Sequence, residues 1–208
     1  MKSRITSFAL ATIFVSSVAY AQAVGGPPDA FQISYASNLN IGDSVVNLVN
    51  AGTQSGTDPA GRVCANVYTF DPAEELISCC TCQVTPNGLN SLSALTDLIS
   101  NTLTPGVPTS IVIKLVATTP VGGVCNAGNG GLPFLSTQLA PGLRAWGTTL
   151  HANPAGGYSV TENAFQLATL SASEDLKVTS YCNFIQADGS GFGICKSCNT
   201  GGLGAATK

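Results

Sequence analysis

The alternation of apolar and polar positions divides the chain mostly into short strands. Phe31, Ile33 and Tyr35 alternate with Gln32, Ser34 and Ala36, the period of a half-buried strand. Val45 to Val49 runs into Asn50-Ala51-Gly52, a turn signal, and residues 53–60 read as loop. From Arg62 to Phe70 the residues Val63, Ala65, Val67 and Thr69 alternate with Cys64, Asn66, Tyr68 and Phe70. Asp71-Pro72-Ala73-Glu74 then turns the chain and Leu76 to Val84 returns, which predicts a hairpin. Ile111 to Ala117 is the clearest strand, and Leu143 to His151 and Tyr158 to Thr161 are further ones.

Helical periodicity is weaker. Leu89, Leu92, Leu95, Leu98, Ile99 and Leu103 recur at spacings of three and four, one face of a short helix. Ser171-Ala172-Ser173-Glu174 matches a capping box, in which side chains satisfy the free N–H groups at a helix start. A helix from about Ala172 to Ile185 would turn Leu176, Tyr181 or Cys182, and Ile185 inward. The pattern predicts a mainly β protein: a disulfide-stapled, antiparallel β-sandwich-like domain with one or two short helices. Residues 22–200 form that single domain, and residues 201–208 are expected to be a flexible tail.

The ends and the composition supply a compartment. Lys2 and Arg4 precede the apolar run Phe8 to Val15, and Ala19-Tyr20-Ala21 fits a small-x-small cleavage site before Gln22. Residues 1–21 therefore read as a secretory signal peptide, and the apolar run falls short of a membrane span. Only 9% of residues are charged, while 20 Ser, 21 Thr, 14 Asn and 23 Gly supply neutral polarity and turns. The formal net charge is -3, and removing residues 1–21 takes two basic residues and no acidic one, leaving -5. This acidic, cation-poor balance argues against nucleic acid, where clustered cations must neutralise phosphate.

All eight cysteines (Cys64, Cys79, Cys80, Cys82, Cys125, Cys182, Cys195 and Cys198) lie behind the signal segment. An even count in an exported chain reads as a disulfide framework. Cys79 and Cys80 point to opposite faces of a strand and need different partners. One bridge is expected between Cys64 and the Cys79–Cys82 cluster, and a second, local one among Cys182, Cys195 and Cys198. Two rival readings exist. Cys79-Cys80-x-Cys82 with Cys195-x-x-Cys198 could offer four thiolates to zinc, but the halves lie over a hundred residues apart, far outside compact zinc spacing. Cys195-Lys196-Ser197-Cys198 has the spacing of a thiol oxidoreductase, yet no helix follows it to lower a thiol pKa.

Catalytic sets are not assembled. His151 is the single histidine and closes a strand, too little for a triad or a multi-histidine metal site. Asp71, Glu74, Glu75, Glu162, Glu174 and Asp175 could do acid–base work as in sugar hydrolases, but turns and a helix start account for most of them. Asn38-x-Asn40 with Asp43, and Asp188-Gly189-Ser190, lack the alternating acidic ligands of a calcium loop. Trp146 reads as a core anchor of the sandwich rather than a ligand-stacking aromatic. No cofactor and no metal are expected.

Val63-Cys64-x-x-Val67-Tyr68-x-Phe70-Asp71, then Glu75 and Cys79-Cys80-x-Cys82-x-Val84-Thr85-Pro86-x-Gly88-Leu89, form one motif. Cys182-x-Phe184-Ile185-Gln186-x-x-Gly189-Ser190-Gly191-x-Gly193-Ile194-Cys195 forms another. Both resemble a group of exported bacterial cysteine-rich proteins that share the Cys-Cys-x-Cys motif and have no known function. The resemblance covers most of the chain after residue 21. It implies a bacterial, secreted, disulfide-stapled protein and no activity.

The expected function is that of a non-enzymatic structural, surface or interaction protein of the adhesion or matrix type, secreted to the periplasm, the cell surface or the medium. Its expected partners are a second copy or another surface protein. The segment carrying Phe31, Ile33 and Tyr35 is the candidate for adding as a strand to a neighbour's sheet. The alternatives are a secreted hydrolase using Asp71 and Glu75, and a metal-binding or redox protein built on the cysteine clusters.

Overall fold

The computed structural model describes residues 22–52, 58–196 and 198–200. The segments expected to be a signal peptide (1–21) and a flexible tail (201–208), and part of the 53–60 loop, lie outside the described residues. The strands are β1 (Phe31–Ala36), β2 (Gly42–Asn50), β3 (Val63–Phe70), β4 (Leu76–Val84), β5 (Leu89–Ser93), β6 (Ile111–Thr118), β7 (Leu143–Ala152), β8 (Tyr158–Ala164), β9 (Gln166–Leu167) and β10 (Asn199–Thr200). They form two sheets, ordered β4-β3-β6-β1-β9 and β10-β5-β2-β7-β8, with every named pairing antiparallel. One α-helix, α1 (Ala172–Ala187), lies against the first sheet.

The two sheets face each other across a core built from Val46, Leu48 and Leu92 on one side and Val63, Ala65, Val67, Ile113 and Leu115 on the other. β3 departs from simple alternation, because all eight of its residues are buried. Its second face carries Tyr68 and Phe70 into a separate apolar cluster with Phe134 and the α1 residues Val178, Cys182 and Ile185. The molecule therefore has three layers: sheet two, sheet one, and a cover made of α1 with part of the 119–142 segment. Each large apolar side chain buried this way contributes roughly 1.5–3 kcal/mol.

Two helical expectations are corrected. Leu89 to Ser93 is a strand paired with β2, and only the five-residue π-helical turn Ala94–Leu98 follows it. Pairing with β2 and burial of Leu92 in the inter-sheet core override leucine spacing in a segment whose Ser and Asn favour helix poorly. The α1 boundary agrees closely with the capping box, and the Ser171 Oγ accepts the Glu174 N–H at 3.2 Å. Its inward stripe, however, is Asp175, Val178, Thr179, Cys182 and Ile185, while Leu176 and Tyr181 are exposed. The Cys182 bond to β4 fixes that rotation of the helix.

Four disulfides join Cys64–Cys125, Cys79–Cys182, Cys80–Cys195 and Cys82–Cys198. Neither expected pairing forms. The residue opposite Cys64 on β4 is Gln83, so no cross-strand cysteine meets it, and it ties down the 119–142 segment instead. The three C-terminal cysteines bond in order to the three of β4: Cys182 reaches Cys79 from α1, and Cys195 and Cys198 follow as the chain from Gly193 to Cys195 runs alongside that strand. There the Cys79 N–H donates to the Gly193 carbonyl at 2.8 Å and the Cys195 N–H to the Cys79 carbonyl at 3.2 Å. All eight cysteines are in these disulfides and no free thiol is present. Four such bonds fit an oxidising compartment. Among the described residues no helix is long and apolar enough to cross a membrane.

Candidate interaction surface

Most residues that suggested chemistry are held in structural roles. Asp71 Oδ1 accepts the backbone N–H of Ala73 at 3.0 Å and of Glu75 at 2.9 Å, closing the β3–β4 turn in which Glu74 takes a left-handed conformation. Glu174 is ion-paired with Lys114. The Asp188 carboxylate accepts both the N–H and the hydroxyl of Ser190, and Asn38 sits in a left-handed turn. Asp43 accepts from Ser44, Ser93 and Leu95, tying β2 to the end of β5. His151 is exposed, with Nε2 at 3.4 Å from the Thr161 hydroxyl. Glu74 and Glu75 border a cleft of about 530 Å³ that also takes in Leu103, Lys177, Tyr181 and Phe184.

Asp175 is different, since it is fully buried with neither carboxylate oxygen hydrogen-bonded among the described residues. Desolvation pushes its pKa up to about 6, with the Phe134 backbone N–H offsetting part of that rise without closing a hydrogen bond. Burial, and then the Asp175 charge, likewise push up the Tyr68 hydroxyl, which donates to the Ala127 carbonyl at 2.7 Å.

Phe31, Ile33 and Tyr35 lie on β1. That strand pairs along its whole length with β6, whereas β9 covers its other side only at Gln32 and Ile33. Phe31 and Ile33 pack into the cluster beneath α1, and Tyr35 is exposed.

Trp146 is not a core anchor. On β7 the core residues are Leu143 and Ala145, so Arg144, Trp146, Thr148 and Leu150 face outward. Registers across β2, β7 and β8 place Asn47 beside Trp146 and Ala164, Val45 beside Thr148 and Glu162, and Asp43 beside Leu150 and Val160. A hydrogen-bonded row crosses four strands of this face. Ser91 Oγ donates to Asn47 Oδ1 at 2.7 Å, Asn47 Nδ2 to Thr148 Oγ1 at 2.9 Å, and Thr148 Oγ1 to Glu162 Oε1 at 3.2 Å. Trp146, Leu150, Val160 and Tyr158 surround this row, and Tyr158 and Val160 are 66% and 57% exposed. Aromatic and aliphatic side chains around satisfied polar groups make a surface suited to protein contact.

The four sheet edges are not equivalent. The first sheet ends at β4, which is covered by the chain at Gly193–Cys195 and stapled there, and at β9, two residues long. The second sheet ends at β10, also two residues, and at β8, seven residues that are all exposed. Among the described residues nothing pairs with the outer edge of β8. Short length, covering chain, proline, lysine and bulges are the usual guards of an edge. The sequence Tyr-Ser-Val-Thr-Glu-Asn-Ala of β8 has neither proline nor lysine, and its register with β7 is unbroken.

No protein-family model, curated protein or solved structure matches the chain. Alternation in the sequence marks Tyr158 to Thr161 as a strand. The roles of Leu150 and Val160 depend on the strand order, to which a single strand's pattern is blind.

Proposed function

We propose that this chain is an exported bacterial, non-enzymatic interaction protein that docks through the β7–β8 arm and the adjoining outer face of the second sheet. The open seven-residue edge of β8 carries this reading, since the other three edges are short or covered. The charge-poor surface and four disulfides support residence outside the cytoplasm, at the cell surface or in its matrix. The test is the distribution of the full-length chain between cell surface and medium in a bacterial host. Leu150→Ser with Tyr158→Ser should release it to the medium while thermal stability stays near wild type. Unchanged retention would contradict docking through this face.

A further inference from the structure

Resting on the reading that the arm is the docking element, we propose that the partner on its free edge is a second copy of this chain. The two β8 strands run antiparallel across a two-fold axis at Val160.

The backbone of β8 decides which of its groups are free. The Phe165 N–H donates to the Ala145 carbonyl and the Asn153 N–H to the Gly157 carbonyl. In an antiparallel pair, hydrogen bonding alternates residue by residue. Given the β7–β8 register, Ser159, Thr161 and Asn163 are bonded toward β7. Tyr158, Val160, Glu162 and Ala164 present their N–H and C=O groups to the outside.

A two-fold partner must set outward residues opposite outward residues, so the axis lies on a residue, and the axes that overlap most of β8 are those at Val160, Thr161 and Glu162. An axis at Glu162 puts two carboxylates directly opposite each other, which is repulsive. An axis at Thr161 puts each carboxylate against Val160 and keeps the two acids diagonal neighbours. An axis at Val160 sets Val160 against Val160, and Tyr158 against Glu162, whose carboxylate can accept the phenol O–H. On the other face it sets Ser159 against Thr161, a favourable hydroxyl pair. Each outward pair exchanges two N–H···O bonds, and Val160, Tyr158 and Glu162 of both copies share the outer face. The contact is isologous and closes on itself. It consumes the long open edge of both copies and leaves, among the described residues, only the two-residue β10 edges in that sheet, so pairing through β8 stops at the dimer.

Sedimentation velocity of unreduced protein lacking residues 1–21 tests this with Val160→Pro and Val160→Lys. Proline at 160 removes the outward N–H at the axis and leaves the β7 hydrogen bonds of Ser159 and Thr161 in place. Lysine sets like charges against each other. The wild type should form a concentration-dependent dimer, weakened about tenfold or more in both variants, with near-UV circular dichroism unchanged. Val160→Cys should give a covalent dimer on a non-reducing gel, because Cα atoms in a hydrogen-bonded pair stand about 5.5 Å apart, within disulfide reach. Leu150→Cys should not.

A monomeric wild type would overturn the proposal. So would a dimer that is insensitive to both substitutions and gives no covalent product at position 160. If the wild type is monomeric but Leu150→Ser with Tyr158→Ser still releases it from the cell, self-pairing fails and docking through the arm stands. If retention is insensitive as well, both fail.

Discussion

Cys79 and Cys80 follow one another in β4, yet their sulfurs bond to elements on opposite faces of the first sheet. Cys79 holds Cys182 of α1 within the outer cluster, and Cys80 holds Cys195 on the inter-sheet side. Strand geometry alone sends consecutive side chains to opposite faces, so two adjacent cysteines clamp two layers at once. Replacing Cys79 and Cys182 together by alanine should lower stability by about 2–4 kcal/mol. The loss should show first as faster amide exchange in α1. The bonds at Cys80 and Cys82 should remain intact by mass spectrometry of the unreduced protein.

The strands were legible because β-branched and aromatic residues alternate between turn signals, as in Val63 to Phe70 and Ile111 to Ala117. The second core was not. Alternation along β3 does not tell that its Cys64, Asn66, Tyr68 face is buried as well. That face is dry because α1 and part of the 119–142 segment, remote in sequence, fold over it. The rotation of α1 was lost for a related reason: the helix buries Asp175 and Thr179, which no hydrophobic pattern selects. Tyr158 to Thr161 read as a strand, but its open edge is a property of sheet order.

Asp175 makes stability fall as pH rises. Its folded pKa, about 6, lies above the usual carboxylate range. The unfolded chain therefore loses the proton first, and stability drops between about pH 4 and pH 6 before levelling off. The contribution is about 1–3 kcal/mol. Urea denaturation across that range should show the drop in the wild type and a flatter profile in Asp175→Asn, with the variant the more stable of the two at neutral pH. Identical profiles would mean that the carboxylate titrates alike in the folded and unfolded chain.

Asp71 is expected to matter for the turn and Glu75 for neither stability nor docking. Asp71→Ala removes the acceptor of two backbone N–H groups and should cost about 1 kcal/mol in thermal or urea unfolding. Glu75→Gln should leave stability and surface retention unchanged. A loss of surface retention in Glu75→Gln would move attention to the cleft beside Tyr181 and Phe184.

Gly42 sets the base of the arm. A Cβ at this position would stand 2.2 Å from the Leu150 carbonyl oxygen, so β2 and β7 could not keep their present approach. Gly42→Ala should cost about 1–3 kcal/mol and speed amide exchange in β7 and β8 while leaving β3 and β6 protected. Uniform loss of protection would show that the arm unfolds only with the whole molecule.

The most direct measurement is residue-resolved amide exchange of the unreduced protein as its concentration is raised. In dilute solution Ser159, Thr161 and Asn163 should already be protected by β7, while Tyr158, Val160, Glu162 and Ala164 exchange freely. At high concentration Tyr158, Val160 and Glu162 should become protected together. Outward amides of β8 that exchange freely at every concentration would contradict the account.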